Sequence, residues 1–288
     1  MPRTKTVGAA TISPEEQTQV QRANKSAKTP VAFVHGLWLL PTSWENWVKF
    51  FEKAGFVALT PGWPDDPATV DEAKAHPEVM AGKSIGQIAD HVAAVIGGLD
   101  TRPVVIGHSF GGLLTEIIAG RGLSAASVAI SPAPFRGVLP LPVSALRSAS
   151  VALKNPKNRH RAVPLTYDQF RYSFANAVPE DEAQQLYATF AVPGPGEPLF
   201  QAAAANFNPW SEDKVDTKNT KRGPMLIIAG EKDHTVPWAI ANASYKKQRR
   251  NKGVTEIEKM PGRGHALTID HGWRDVAETA LTFVKRFA

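Results

Sequence analysis

"VVIGHSFGG", residues 104–112, runs an apolar stretch into Ser109, with Gly107, Gly111 and Gly112 close around it. Beyond it, Leu113, Leu114, Ile117 and Ile118 have helical spacing, so the stretch reads as a buried strand, a tight turn and a helix. A serine in such a turn holds its hydroxyl above the end of the sheet, at the positive end of the helix dipole. The flanking glycines let the backbone turn there without side-chain clashes. The G-x-S-x-G spacing alone is a modest signal; its position between strand and helix gives it weight.

Outward from this turn, short apolar runs alternate with segments of helical period. The strand candidates are "VAFVH" (31–35), "FVALT" (56–60), "PVVIGH" (103–108), "SVAIS" (127–131), "PMLIIAG" (224–230) and "VTEIEKM" (254–260). Between them, "TSWENWVKFFEKAG" (42–55) puts Trp44, Trp47, Val48 and Phe51 on one face, with Thr42 and Glu45 as an expected capping box and Gly55 as the stop. "SIGQIADHVAAVIGGL" (84–99) repeats the pattern with Ser84 and Gln87. A final helix carries Trp273, Val276, Ala277, Ala280, Leu281, Val284 and Phe287. The alternation predicts an α/β fold, a mostly parallel sheet flanked by helices.

From about Pro132 to residue 218 the alternation lapses, and Pro-rich joints separate helical segments such as "TYDQFRYSFANAV" and "EDEAQQLYATFAV". We therefore expect an α/β core in residues 31–132 and 219–288, interrupted by a helical cap at 133–218. Residues 1–30 form an N-terminal extension. Within it, Ser13, Pro14 and two acids signal a helix start, preceded by a disordered tail.

Composition narrows the function classes. The 288 residues, 43% of them apolar, can bury a substantial core. No apolar run reaches the ~20 residues of a membrane span, and the N-terminus has no segment resembling a secretory signal, so a soluble, cytoplasmic protein without a membrane partner is expected. With no cysteine, disulfides, thiolate nucleophiles and sulfur-bound metals drop out. The net charge of +6 is densest in "YKKQRRNK" (245–252), which reads as a solvated helix end, and no nucleic-acid-binding motif accompanies it. Nothing in the sequence sets the oligomeric state.

A serine hydroxyl attacks at neutral pH only if a base takes its proton, and that base needs an orienting carboxylate. "IIAGEKDHTVP" places Asp233 just past one strand, and "KMPGRGHALTIDHGW" places His265 just past the last. With "FVHGLWL" at the end of the first strand, the order Ser109, Asp233, His265 resembles the α/β-hydrolase superfamily, in its cap-bearing branch of serine esterases and cofactor-free haloperoxidase-like enzymes. Unlike many of its members, this chain shows no antiparallel hairpin before the first strand, so the sheet is expected to be shorter at that edge.

The resemblance implies catalytic roles for Ser109 as nucleophile, His265 as base and then acid, and Asp233 as its orienting partner. It implies oxyanion donors at the backbone N–H groups of Phe110 and Leu37, with Trp38 as an alternative or additional donor, and it calls for no cofactor and no metal. Glu231 is a rival carboxylate, less well placed than Asp233 in the D-x-x-V-P pattern. His35, His234 and His271 read as structural, His108 fills a variable position of the turn, and a metal site from His265, Asp270 and His271 would consume the base.

Trp38, Leu39, Leu40, Phe110 and Pro132, with the cap aromatics Phe170, Tyr172, Phe174, Phe190 and Trp210, are candidates for the substrate pocket; for a cap aromatic taken singly, packing is the commoner role. The expected partner is a small to medium, fairly apolar ester. Lactones, C–C cleavage substrates, perhydrolysis and a cofactor-free lyase reaction use the same three residues, and a ligand receptor that keeps them is the reading from a different class.

Overall fold

The computed structural model describes residues 12–287. All six apolar runs form strands of one sheet: β1 (Pro30–Val34), β2 (Val57–Leu59), β3 (Val104–His108), β4 (Ala126–Ile130) and, beyond a long excursion, β7 (Met225–Gly230) and β8 (Thr255–Met260). Their spatial order is β2-β1-β3-β4-β7-β8, with every neighbouring pair parallel. Strands β1, β3, β4 and β7 are buried throughout, which is why they read as continuous apolar runs rather than alternating ones.

Helices cover both faces. On one, α2 (Glu45–Lys53) and α11 (Trp273–Val284) pack Trp47, Phe51, Val276, Ala280 and Phe283 against Phe33, Ile106 and Ile228. On the other lie α4 (Ile85–Gly97), α5 (Phe110–Gly120) and α10 (Trp238–Gln248), with a short α3 (Val70–Ala75) preceding α4. The capping box expected at Ser84 and Gln87 is present. The one expected at Thr42 and Glu45 is not: Pro41–Trp44 form a 3-10 turn, so Thr42 lies inside that turn and α2 begins at Glu45 without a side-chain cap. Gly55 ends α2 with φ +100°, a conformation that excludes most side chains.

Helix α1 (Pro14–Asn24) starts at a Ser13–Glu16 capping box, and the tail expected before it lies outside the described residues. It packs along β2, one of the two edge strands of the sheet. There Gln19 accepts the N–H of Thr60 at 2.8 Å, Arg22 donates to the Ala58 carbonyl, and Glu16 accepts from Gly62 at 3.2 Å. Side chains of a helix thus satisfy edge groups that a further strand would otherwise pair. Glu16 also takes the His91 Nε2–H at 2.8 Å. Burial works to raise the Glu16 pKa, but bonds from His91 and Ser13 outweigh it and hold the carboxyl below its ordinary value.

Between β4 and β7 the chain makes α6 (Val143–Leu153), α7 (Tyr167–Ser173), α8 (Glu180–Phe190) and α9 (Glu197–Ala204). A two-rung antiparallel ladder, β5 (Ala162–Val163) with β6 (Gly194–Pro195), ties this stretch together. It lies over the C-terminal ends of the strands: Trp38 Nε1–H donates to the Val163 carbonyl at 2.8 Å, and Ala266 N–H to the Phe174 carbonyl at 2.9 Å. No helix among the described residues is long and apolar enough to cross a membrane.

Candidate active site

Ser109 sits at the junction of β3 and α5 with φ +58° and ψ −120°, a strained conformation for a residue with a side chain. The surroundings over-determine it. Its N–H donates to the Ile130 carbonyl at 2.9 Å, and its own carbonyl accepts from Leu113 at 3.1 Å and Ala133 at 2.9 Å. The glycines serve close approach rather than rotation: a Cβ on Gly107 would lie 2.0 Å from the Gly111 carbonyl oxygen, and one on Gly111 would lie 2.0 Å from that of Val34. The positive φ belongs to the serine itself.

The loops after β7 and β8 deliver the other two residues. His265 Nε2 lies 3.0 Å from Ser109 Oγ, and His265 Nδ1 lies 2.7 Å from Asp233 Oδ2. Because a carboxylate only accepts, Nδ1 carries the proton and Nε2 turns its lone pair to the serine hydroxyl. Asp233 Oδ1 in turn accepts the backbone N–H groups of Thr235 and Val236, each at 2.8 Å. Burial pushes the Asp233 pKa up, but the adjacent His265 and the Val236 N–H more than offset it, so the carboxyl stays below its ordinary value. All three side chains are buried.

The β1 loop passes beside the hydroxyl: a Cβ on Gly36 would meet Ser109 Cβ at 2.8 Å and Oγ at 3.4 Å. Phe110 opens α5, where the first N–H groups of a helix have no intrahelical acceptor. His35 anchors the loop from behind. Its Nε2 meets Asp66 Oδ2 at 2.9 Å and its Nδ1 meets the Gly36 carbonyl at 3.0 Å, while its ring stacks on Trp63 at 5.2 Å. Within one peptide unit C=O and N–H point in opposite directions. The Gly36 carbonyl faces His35, so the Leu37 N–H of the same peptide unit points away from that ring.

The remaining expected residues divide. Trp38, Leu39, Phe110 and Phe170 are buried in one apolar cluster with Phe174, and Pro132 packs against the first turn of α5 at Gly112. Phe174 stands beside His265, its ring 4.9 Å from that of the histidine, edge-on to Trp38 and stacked on Phe170 at 5.1 Å. Trp210 is not brought there. It is 85% exposed and borders a surface depression of about 260 Å³ with Arg159, Phe200 and Glu212, because the loop after α9 turns it outward. Leu40 packs elsewhere, with Ala73, Met80 and Val192.

Rival polar residues have other partners: Glu231 accepts from Gly262, His234 meets the Tyr172 carbonyl, His271 pairs with Glu182, and Asp270 pairs with Arg263. Two contacts escaped the sequence reading. His108 reaches the His265 carbonyl through Nε2 at 2.9 Å, and Asp66 holds His35. Their partners are 157 and 31 residues away, and neither spacing carries a motif.

The model of the alpha/beta hydrolase family matches residues 31–279. No curated protein matches the chain in sequence. Among solved structures it resembles a monoacylglycerol lipase from Paleococcus ferrophilus (TM-score 0.60, 17% identity, covering 90% of this chain and 95% of that one). It is similar to a thermophilic esterase from Thermogutta terrifontis (0.62, 17%, 90% and 90%) and to a pyrethroid hydrolase from Sphingobium faniae (0.61, 16%, 89% and 97%). At these identities the likeness establishes the shared fold.

Proposed function

Because this chain belongs to the alpha/beta hydrolase family, we propose that it hydrolyses a small to medium, fairly apolar carboxylic ester through an acyl-enzyme on Ser109. One observation carries the reading: the buried relay Ser109 Oγ, His265 Nε2, His265 Nδ1, Asp233 Oδ2, with links of 3.0 and 2.7 Å. That the structural neighbours include an esterase, a lipase and a pyrethroid hydrolase agrees with ester chemistry.

In this mechanism His265 Nε2 takes the Ser109 proton as Oγ forms a bond to the ester carbonyl carbon. The carbonyl π electrons move to oxygen, and the Phe110 and Leu37 N–H groups stabilise the resulting oxyanion, each at a typical ~3 kcal/mol. Collapse expels the alkoxide, which takes the proton from His265 Nε2 and leaves as the alcohol. Water then repeats the sequence on the acyl-enzyme, releasing the acid and restoring Ser109. Asp233 keeps its negative charge throughout and favours the imidazolium.

In this reading residues 133–218 act as the cap on a core of 31–132 and 219–288, with residues 1–30 as an extension. Trp38, Leu39, Pro132 and Phe174 form the wall facing the acyl group, and Phe170 backs it. A fluorophosphonate tests the proposal: one adduct at Ser109, located by peptide mass spectrometry and absent in Ser109→Ala, is expected. An adduct on another residue, or full esterase activity in pure Ser109→Ala, overturns it.

A further inference from the structure

Eight large apolar side chains are exposed among the described residues, and six of them fall in two stretches: Leu139, Leu141, Val143 and Leu146 before and at the start of α6, and Phe207 and Trp210 after α9. Four are at least 70% exposed, Val143 at 82%, Phe207 at 90%, Trp210 at 85% and Leu139 at 70%. The stretches form one surface. Gly137 N–H donates to Asn206 Oδ1 at 2.6 Å, Asn206 Nδ2 donates to the Val138 carbonyl at 3.2 Å, and Arg136 reaches the Pro209 carbonyl. Each bond anchors the backbone within a few residues of a projecting side chain, so the apolar groups stand on a braced base.

The α6 side of this surface is cationic, while on the Trp210 side Glu212 accepts from the Gly86 N–H and from Gln201. Residues 133–167 contain Arg136, Arg147, Lys154, Lys157, Arg159 and Arg161 and no Asp or Glu. Among the described residues, Arg159 is the one of these that makes an ion pair, with Glu197. From the neighbouring α10, the basic run adds Lys247, whose Nζ comes to 3.0 Å from where a Cβ on Gly137 would sit. Projecting aliphatic and aromatic groups beside exposed cations match the layered chemistry of an anionic lipid surface, with a negative headgroup plane above an apolar interior.

We propose that this face docks the protein peripherally on anionic lipid surfaces, Leu139, Leu141, Val143, Phe207 and Trp210 entering the interface while the surrounding cations meet the headgroups. Charge complementarity selects this occupant. Two copies of the chain joined through the patch would set like charges against each other, and a nucleic acid would leave the aliphatic side chains without a partner. The absence of a spanning segment among the described residues is consistent with it, since peripheral docking needs none. The proposal does not depend on the ester chemistry, because the patch contains no residue of the Ser109 site.

Sedimentation of the full chain with vesicles tests it, using phosphatidylglycerol mixed with phosphatidylcholine against phosphatidylcholine alone. Binding to the anionic vesicles is expected, weakening as salt rises, and in the variant Leu139→Ser/Leu141→Ser/Phe207→Ser/Trp210→Ser it should fall at least about tenfold. Hydrolysis of a soluble short-chain ester and the melting temperature of that variant should match the parent, which separates lost docking from lost folding or lost chemistry. Brominated lipid should quench a part of the tryptophan fluorescence that disappears in Trp210→Phe. Failure to bind anionic vesicles at low salt overturns the proposal. So does binding that the four substitutions leave unchanged, a parent chain that is dimeric in solution and becomes monomeric in the variant, or a stronger preference for DNA than for lipid.

Discussion

His108 Nε2–H donates to the backbone carbonyl of His265 across 2.9 Å, with the two rings 4.7 Å apart. A carbonyl only accepts, so the proton of the neutral ring is on Nε2, and Nδ1, buried, has no partner among the described residues. Burial first, and then the proximity of His265, pull the His108 pKa down to about 3. The ring thus stays uncharged beside His265 and, under the proposed mechanism, sets no second cation against the imidazolium formed there.

Replacing His108 by Ala removes that donor and should cost about 1–3 kcal/mol of stability by leaving a buried carbonyl unpaired. It should also lower kcat between about tenfold and a hundredfold by loosening His265. His108→Gln, which can offer an N–H, should recover part of both. The pH dependence separates them further. The unfolded chain binds a proton at His108 below about 6.5 while the folded chain binds it only near 3, so this group costs the parent up to ~1.4 kcal/mol per pH unit as pH falls through that window. Urea denaturation between pH 4 and 7 should show a shallower acid decline in His108→Gln; an identical slope would discard the assignment.

The six strands, their parallel arrangement and the convergence of Ser109, Asp233 and His265 were legible in the sequence because each rests on a local signal, an apolar run or a strand-end motif. What escaped depended on tertiary contact. The Thr42 capping box failed because Pro41 starts a 3-10 turn one residue earlier. Trp210 looked like a pocket residue from composition alone, and only the course of the loop after α9 shows that it faces outward. The His108–His265 and Asp66–His35 bonds join segments brought together by sheet order.

Asp66 should tune the reaction without touching substrate. Its carboxylate accepts from His35 Nε2 and so positions a ring that lies against the Gly36 carbonyl, whose peptide carries the Leu37 N–H. Asp66→Asn should lower kcat by about tenfold, a part of the ~3 kcal/mol that an oxyanion donor supplies, with KM little changed. Asp65→Asn, at the exposed neighbouring position, is the control. Equal effects of the two changes would remove Asp66 from this role.

Glu116, fully buried on α5, accepts from Ser244 and from Gln248 through Oε1, whereas Oε2 has no partner among the described residues. Burial dominates and raises its pKa from 4.5 to about 7, the bonds from Ser244 and Gln248 opposing. The folded state therefore holds this proton more tightly than the unfolded chain. The stability it contributes is complete below pH 4.5 and is lost as pH rises through about 7. Glu116→Gln lacks the titration, so between pH 4 and 9 its stability relative to the parent should rise by about 3 kcal/mol, read from urea midpoints at constant m. A constant difference across that range would show that Glu116 ionises normally.

Selectivity should follow Phe174 rather than Trp210. The Phe174 ring lies 4.9 Å from His265 and is braced by Phe170 behind it and Trp38 beside it, so its bulk limits the space over the base. Phe174→Leu should shift the preferred p-nitrophenyl ester toward longer acyl chains, because removing ring volume deepens the wall while a branched side chain still fills most of the site. Phe174→Ala should shift it further but lose about 3–5 kcal/mol of stability through the cavity it leaves. Trp210→Ala, at the exposed loop, should leave the profile of water-soluble esters within about twofold, the scale of a change that removes no contact with the reacting groups. Trp210→Ala redirecting chain length while Phe174→Leu does not would place the acyl group on the outer face of the segment between β4 and β7, and the wall assigned to Phe174 would be wrong.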